Sequence, residues 1–180
     1  LLRYTEKPEQ TVAIAAKLCY SNYDIDTLIN KNDNTDVSKF IGNLISMGHY
    51  SPLEHASFTF GIEGVSRSLL SQITRHRIAS FSVKSQRYVS AKGAFNYIVP
   101  KGIEKLGKEA VEKFDSQMQT VQQWYNEWAE ALGVGESSYE DARFVLPNAA
   151  ETKMIVTMNA RELLHFFELR CCNRAQWEIR

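Results

Sequence analysis

Arg75-His76-Arg77-Ile78-Ala79-Ser80-Phe81-Ser82-Val83-Lys84-Ser85-Gln86-Arg87-Tyr88 is the stretch on which the reading of this chain turns. It holds three arginines, one histidine, three serines and a tyrosine, with no acidic residue among them. Guanidinium forks and hydroxyls at this density suit an anionic, planar ligand. Arginine presents five donors in one fixed plane and matches phosphate or carboxylate oxygens in pairs. Residues 65–74, just upstream, have helical spacing, so Arg75-His76-Arg77 falls at or just past a helix end.

Working outward from this stretch, Ser57-Phe58-Thr59-Phe60-Gly61-Ile62-Glu63 alternates and predicts a strand. Before it, Ser51-Pro52-Leu53-Glu54 has capping-box spacing with proline at the first helical position and predicts a short helix. Residues 9–21 and 36–47 carry apolar residues at helical spacing, the second bounded by Asp36 as N-cap and Gly48 as stop, with residues 30–34 as a polar loop between them. Downstream, residues from Tyr88 and over 94–99 read as extended, and residues 103–132 as one long amphipathic helix ended by Gly133 and Gly135. Residues 138–146 then predict a short helix, 152–158 a strand and 160–170 a helix. This pattern predicts an α+β fold, with mixed helices around one modest, mostly antiparallel sheet. The expected organisation is a single domain over 1–180, with both termini trimmed. No Gly-x-Gly-x-x-Gly turn in a βαβ unit is present, which argues against a Rossmann nucleotide site.

Composition narrows the function classes. The 21 basic and 21 acidic residues cancel, which argues against a general nucleic-acid binder. The distribution says more than the sum: of ten arginines only Arg3 precedes Arg67. A neutral chain with sorted arginines predicts a local anion site. No apolar run is long enough for a membrane span. The three cysteines, Cys19, Cys171 and Cys172, form no disulfide framework and have no zinc-ligand spacing, a pattern that fits a reduced, cytoplasmic protein without a metal site. Adjacent Cys171 and Cys172 diverge by about 100° on a helix and read as small buried hydrophobes rather than nucleophiles. Ser85 lacks a nucleophile elbow and reads as a ligand-binding hydroxyl.

The central stretch resembles the signature of the flavin-dependent thymidylate synthases: Arg-His-Arg, seven residues, then Ser, followed by Arg-Tyr, here Arg75, His76, Arg77, Ser85, Arg87 and Tyr88. Three further blocks resemble the family in order and spacing. They are Gly48 to His55, Ala142 to Pro147, and Thr157 to Arg161 continuing through His165-Phe166, Leu169-Arg170 and Ala175 to Glu178. The resemblance covers roughly 48–88 and 139–180. The chain departs from the pattern at Ser82-Val83, where many members have Asn-Glu.

The resemblance implies conversion of dUMP to dTMP, with 5,10-methylenetetrahydrofolate as carbon donor and FAD, reduced by NADPH, as hydride carrier. It implies that Ser51, Arg75, His76, Arg77, Asn159, Ala160, Arg161 and His165 bind FAD. Gln72, Arg75, Ser85, Gln86, Arg87, Arg143 and Arg170 are implied to bind dUMP, with Arg170 catalytic through stabilisation of charge on the pyrimidine ring. It further implies a homotetramer with shared active sites, with small molecules as ligands and neither nucleic acid nor membrane as partner. The competing reading is a non-catalytic nucleotide- or RNA-binding module.

Overall fold

Residues Glu151–Asn159 show how the sheet takes its place: Thr152, Met154, Val156 and Met158 are buried, while Lys153 and Ile155 between them are exposed. That is the period of two expected of a pleated strand with one covered face. The computed structural model describes residues 1–133 and 135–180. In it, β1 (Arg3–Tyr4), β2 (Ser57–Ser66), β3 (Ala79–Val83) and β4 (Glu151–Asn159) form a four-stranded antiparallel sheet in the order β1-β2-β4-β3. The β1–β2 register pairs Arg3 with Thr59 and Tyr4 with Phe58. The helices are α1 (Pro8–Leu18), α2 (Ile25–Asn32), α3 (Ser38–Ser46), α4 (Arg67–Ile73), α5 (Lys101–Glu104), α6 (Lys108–Ala131), α7 (Glu136–Ala142) and α8 (Ala160–Arg170), with 3₁₀ turns at Ser51–His55 and Arg143–Val145. The expected α+β class is the observed one. Among the described residues, no helix is long and apolar enough to cross a membrane.

The chain divides into two compact units, each made of separated segments. One comprises Leu1–Gly61, His76–Phe81 and Ile155–Arg180; the other comprises Ile62–Arg75 and Ser82–Met154. The first has a core of Val12, Leu53 and Ala56, against which Ile41, Ile45, Phe58 and Ala160 pack. Proline at the first position of α1 and inside the 3₁₀ turn suits ends whose N–H groups lack helical partners. The second unit has a core of Tyr125, Ala129 and Ala142, with Ala91, Val145 and Leu146 packed on it. Tyr125 is fully buried, and its hydroxyl accepts a hydrogen bond from the Ala91 N–H at 3.1 Å.

Four sequence expectations are corrected. Residues 30–32, expected in a polar loop, end α2 instead. Asp24 caps that helix by accepting from the Thr27 N–H at 2.8 Å, and buried Asn32 is satisfied by donating to the Leu28 carbonyl at 2.7 Å and accepting from Lys17. Asp36 accepts from the Ser38 N–H, but the N-cap of α3 is Val37. The long helix expected over 103–132 is broken at Gly107, whose φ of 99° and ψ of −179° are open essentially to glycine alone. Tyr88 lies in a turn rather than in an extended segment, whereas residues 94–99 pair with the chain at Ala149 to Glu151 through the isolated bridge between Tyr97 and Ala150. Strand β3, absent from the sequence reading, alternates half-buried Ala79, Phe81 and Val83 with exposed Ser80 and Ser82. Val83 therefore occupies an inward register position.

Candidate active site

In the first unit the site is built on α8. Asn159 caps this helix, its Oδ1 accepting from the Glu162 N–H at 2.9 Å, and its Nδ2 makes no hydrogen bond among the described residues. Residues Glu162, Phe166 and Arg170 recur every four positions and so lie along one helix face. His76 meets that face. Its Nδ1 lies 2.9 Å from Glu162 Oε1, Arg170 Nε donates to its Nε2 at 3.0 Å, and its ring centroid is 4.9 Å from that of Phe166. His76 is 4% exposed and Glu162 6%. Both ring nitrogens of His76 are thus occupied within the protein, and neither is open to a ligand.

Asn159, Arg161 and His165 line a cavity of about 540 Å³ together with Tyr50, Glu54 and Ile78. Arg161 pairs with Glu54 at 2.5 Å. Ala160, on the same implied flavin list, packs into the core, and its N–H donates to the Ala56 carbonyl at 2.8 Å. Ser51 lies elsewhere, lining a separate cavity of about 850 Å³ with His49, Tyr20, Tyr23 and Lys31. Arg77 is exposed and makes no side-chain hydrogen bond or ion pair among the described residues.

The second unit holds Arg67, Arg75, Arg87 and Arg143. Glu140 organises two of them: its carboxylate accepts from Arg87 Nε at 2.9 Å, and its carbonyl accepts from Arg143 Nε at 3.1 Å. The Ser85 hydroxyl accepts from the N–H groups of Arg87 at 3.0 Å and Tyr88 at 3.3 Å, shaping the turn that carries Arg87. Arg67, at the start of α4, belongs to this cluster although the sequence reading did not place it in the site. Burial, then repulsion from the Arg143 guanidinium, lowers the Arg67 pKa from its ordinary value. Its membership of the sorted arginines was the signal available. A group of cations with one carboxylate between them favours an anionic ligand. Gln86 lines a cavity of about 230 Å³ with Lys84, Asn96 and Thr152, whose buried Oγ1 has no hydrogen-bond partner among the described residues. Gln72 is half-buried on α4, while Arg75 beyond its end is exposed and without a side-chain partner among the described residues. Of the residues implied to bind dUMP, all but Arg170 lie in this unit.

Cys171 and Cys172 are free and exposed, not the buried hydrophobes expected. They lie just past the end of α8, where the chain leaves the packed helix.

Comparison with known proteins decides the relationship. The family model described as thymidylate synthase complementing protein matches residues 1–180. A flavin-dependent thymidylate synthase from Geobacter sulfurreducens is 55% identical, over 100% of this chain and 76% of its own length. The chain belongs to the flavin-dependent thymidylate synthase family. Relatives of the same name from Clostridium tetani and Pyrococcus furiosus are 49% and 43% identical over the whole of this chain, which spans 76% and 73% of their lengths. As a flavin-dependent thymidylate synthase family member, the chain calls for a flavin, and its residues fit one. The α8 cavity joins apolar Ile78 to the polar side chains of Asn159, Arg161 and His165, as a ring system with polar edges requires. Arg77, in the same unit, is exposed and has no ion-pair partner among the described residues, so its guanidinium is open to an anionic group.

Proposed function

We propose that this chain forms dTMP from dUMP as a flavin-dependent thymidylate synthase, with 5,10-methylenetetrahydrofolate as carbon donor and NADPH as reductant. The observation that carries the reading is the family match over 1–180, which includes every arginine of the motif positions. A non-catalytic binding module is not favoured.

FAD, when bound, supplies the hydride that completes the transferred one-carbon unit as a methyl group. Asn159, Arg161 and His165 hold its ring system, and Arg75 and Arg77 hold its phosphates. Arg67, Arg87 and Arg143 hold the dUMP phosphate, with Glu140 keeping two of the guanidinium groups in place before the nucleotide arrives. Ser85, Gln72 and Gln86 orient the nucleoside. Arg170 stabilises negative charge that builds on the pyrimidine as its C5 becomes nucleophilic, in the manner of an oxyanion site.

The same reading calls for assembly, and exposed apolar surface supports it. Phe144 is 83% exposed, Trp128 54% and Trp124 50%, far more apolar ring surface than one chain has reason to leave in water. Ser51 lining a different cavity from Asn159 and His165 suits a flavin site completed by a second copy, in a homotetramer. Free Cys19, Cys171 and Cys172 suit a reducing compartment such as the cytoplasm. The test is a flavin spectrum on the purified protein followed by NADPH oxidation with and without dUMP. A yellow protein whose NADPH oxidation and dTMP formation need dUMP is the expected result; a folded protein that takes up no FAD overturns the reading.

A further inference from the structure

We propose that Glu162 is a positioning residue for catalysis, acting through His76 to hold the guanidinium of Arg170 in one plane. This rests on the reading of Arg170 as the residue that stabilises charge on the pyrimidine. A carboxylate only accepts hydrogen bonds, and Arg Nε only donates them. The two contacts of His76 therefore have one consistent assignment. Nδ1 carries the proton and donates to Glu162 Oε1 at 2.9 Å, while Nε2 keeps its lone pair and accepts from Arg170 Nε at 3.0 Å. The opposite tautomer, or an imidazolium, would set an N–H against the Arg170 N–H. The carboxylate thus selects the tautomer, and the tautomer selects the orientation of Arg170.

Surrounding structure holds the relay in place. Glu162 sits in the first turn of α8, where the helix dipole favours negative charge, and its own N–H is capped by Asn159. Phe166, one turn along the same face, lies with its ring at 55° to the imidazole and 4.9 Å from it, restricting rotation of His76. With His76 and Glu162 both buried, water does not substitute readily for either partner. A planar guanidinium tied at Nε can aim its remaining nitrogens in only one plane, which matters because displacement by about 1 Å can cost on the order of 10²-fold in rate.

The test compares Glu162→Leu, which keeps bulk but removes the acceptor, with Glu162→Gln, whose amide oxygen still accepts from Nδ1. For Glu162→Leu we expect single-turnover dTMP formation at saturating dUMP to fall on the order of tenfold to 10²-fold, with dUMP affinity nearly unchanged. Glu162→Gln recovers most of the lost rate. Glu162→Leu added to Arg170→Ala costs little further, because the two act as one unit. If Arg170→Ala is crippled while Glu162→Leu turns over normally, the positioning role is wrong and the reading of Arg170 survives; if Arg170→Ala turns over normally, that underlying reading fails first. A measurement on the unmutated protein needs no turnover. Nitrogen NMR of ¹⁵N-histidine-labelled protein, with the His76 signals identified by their loss in His76→Gln, should show a neutral ring protonated at Nδ1. A ring protonated at Nε2, or at both nitrogens, overturns the proposal even if Glu162→Leu does not fold.

Discussion

Replacing Arg170 by alanine should separate stability from chemistry in one variant. Arg170 Nε donates to His76 Nε2 at 3.0 Å, and His76 is buried. Its removal leaves an imidazole nitrogen without its donor, a loss of about 1–3 kcal/mol in stability if water does not enter. For a chain of this size each kcal/mol shifts the melting temperature by roughly 2–4 °C, so Arg170→Ala should melt several degrees lower yet remain folded at assay temperature. Its turnover should suffer more. One charge-assisted hydrogen bond contributes about 1.5–3 kcal/mol, or roughly 10–100-fold. A guanidinium that meets charge present only in the transition state should exceed that range, while dUMP affinity falls less. The assay is single-turnover dTMP formation at saturating dUMP, on protein whose FAD spectrum and melting curve have been recorded. Product formed at the wild-type rate would refute the activating role of Arg170.

Other perturbations probe the rest of the chain. Arg67→Met removes a cation from the proposed phosphate cluster and should weaken dUMP binding by about 10–100-fold, measured by titration calorimetry; unchanged affinity removes Arg67 from the site. Replacing Cys19, Cys171 and Cys172 together by serine should leave dTMP formation intact, since all three are exposed and free; loss of turnover in folded, FAD-loaded protein would revive a thiolate mechanism. Gly107→Ala forces a side chain into a backbone region nearly closed to it and should destabilise by about 1–3 kcal/mol, read from urea unfolding. Tyr125→Phe takes the acceptor from the Ala91 N–H and should cost about 0.5–1.5 kcal/mol, seen as a lower urea midpoint with an unchanged slope.

Local patterns in the sequence carried much of the fold. Ala160 to Arg170 was legible as α8 to the residue. Strand β4 was legible to within a residue at each end, over 152–158. What failed involved contacts made far away in sequence. Asn32 reads as a loop residue until Lys17 satisfies its side chain from a helix fifteen residues back. Strand β3 alternates half-buried Ala79, Phe81 and Val83 with exposed serines, but five residues between Arg75-His76-Arg77 and Lys84-Ser85 are too short for the alternation to stand out. The break at Gly107 was not legible, because sequence does not display a φ of 99°.

The candidate site divides along the same line. The grouping of Arg67, Arg87 and Arg143 in one unit was foreshadowed by the uneven distribution of arginines along the chain. Which residue restrains which was not, since it depends on burial and proton direction. His76 is the clearest case. As part of Arg-His-Arg it reads as one more ligand contact, equivalent to its neighbours. The structure turns Arg75 and Arg77 out to water and His76 inward, with Glu162 and Arg170 on its two nitrogens. Alternation about a single buried residue is what gives the motif its order: the two arginines are exposed and the histidine between them is buried. His76→Ala should therefore do more harm to the placement of Arg170 than to the cations at Arg75 and Arg77. FAD retained at near-normal affinity, with dTMP formation lost, is the expected pair of results from a flavin titration and a turnover assay on that variant. Loss of FAD binding in folded His76→Ala protein would return His76 to the flavin side of the site and break the division of labour drawn here.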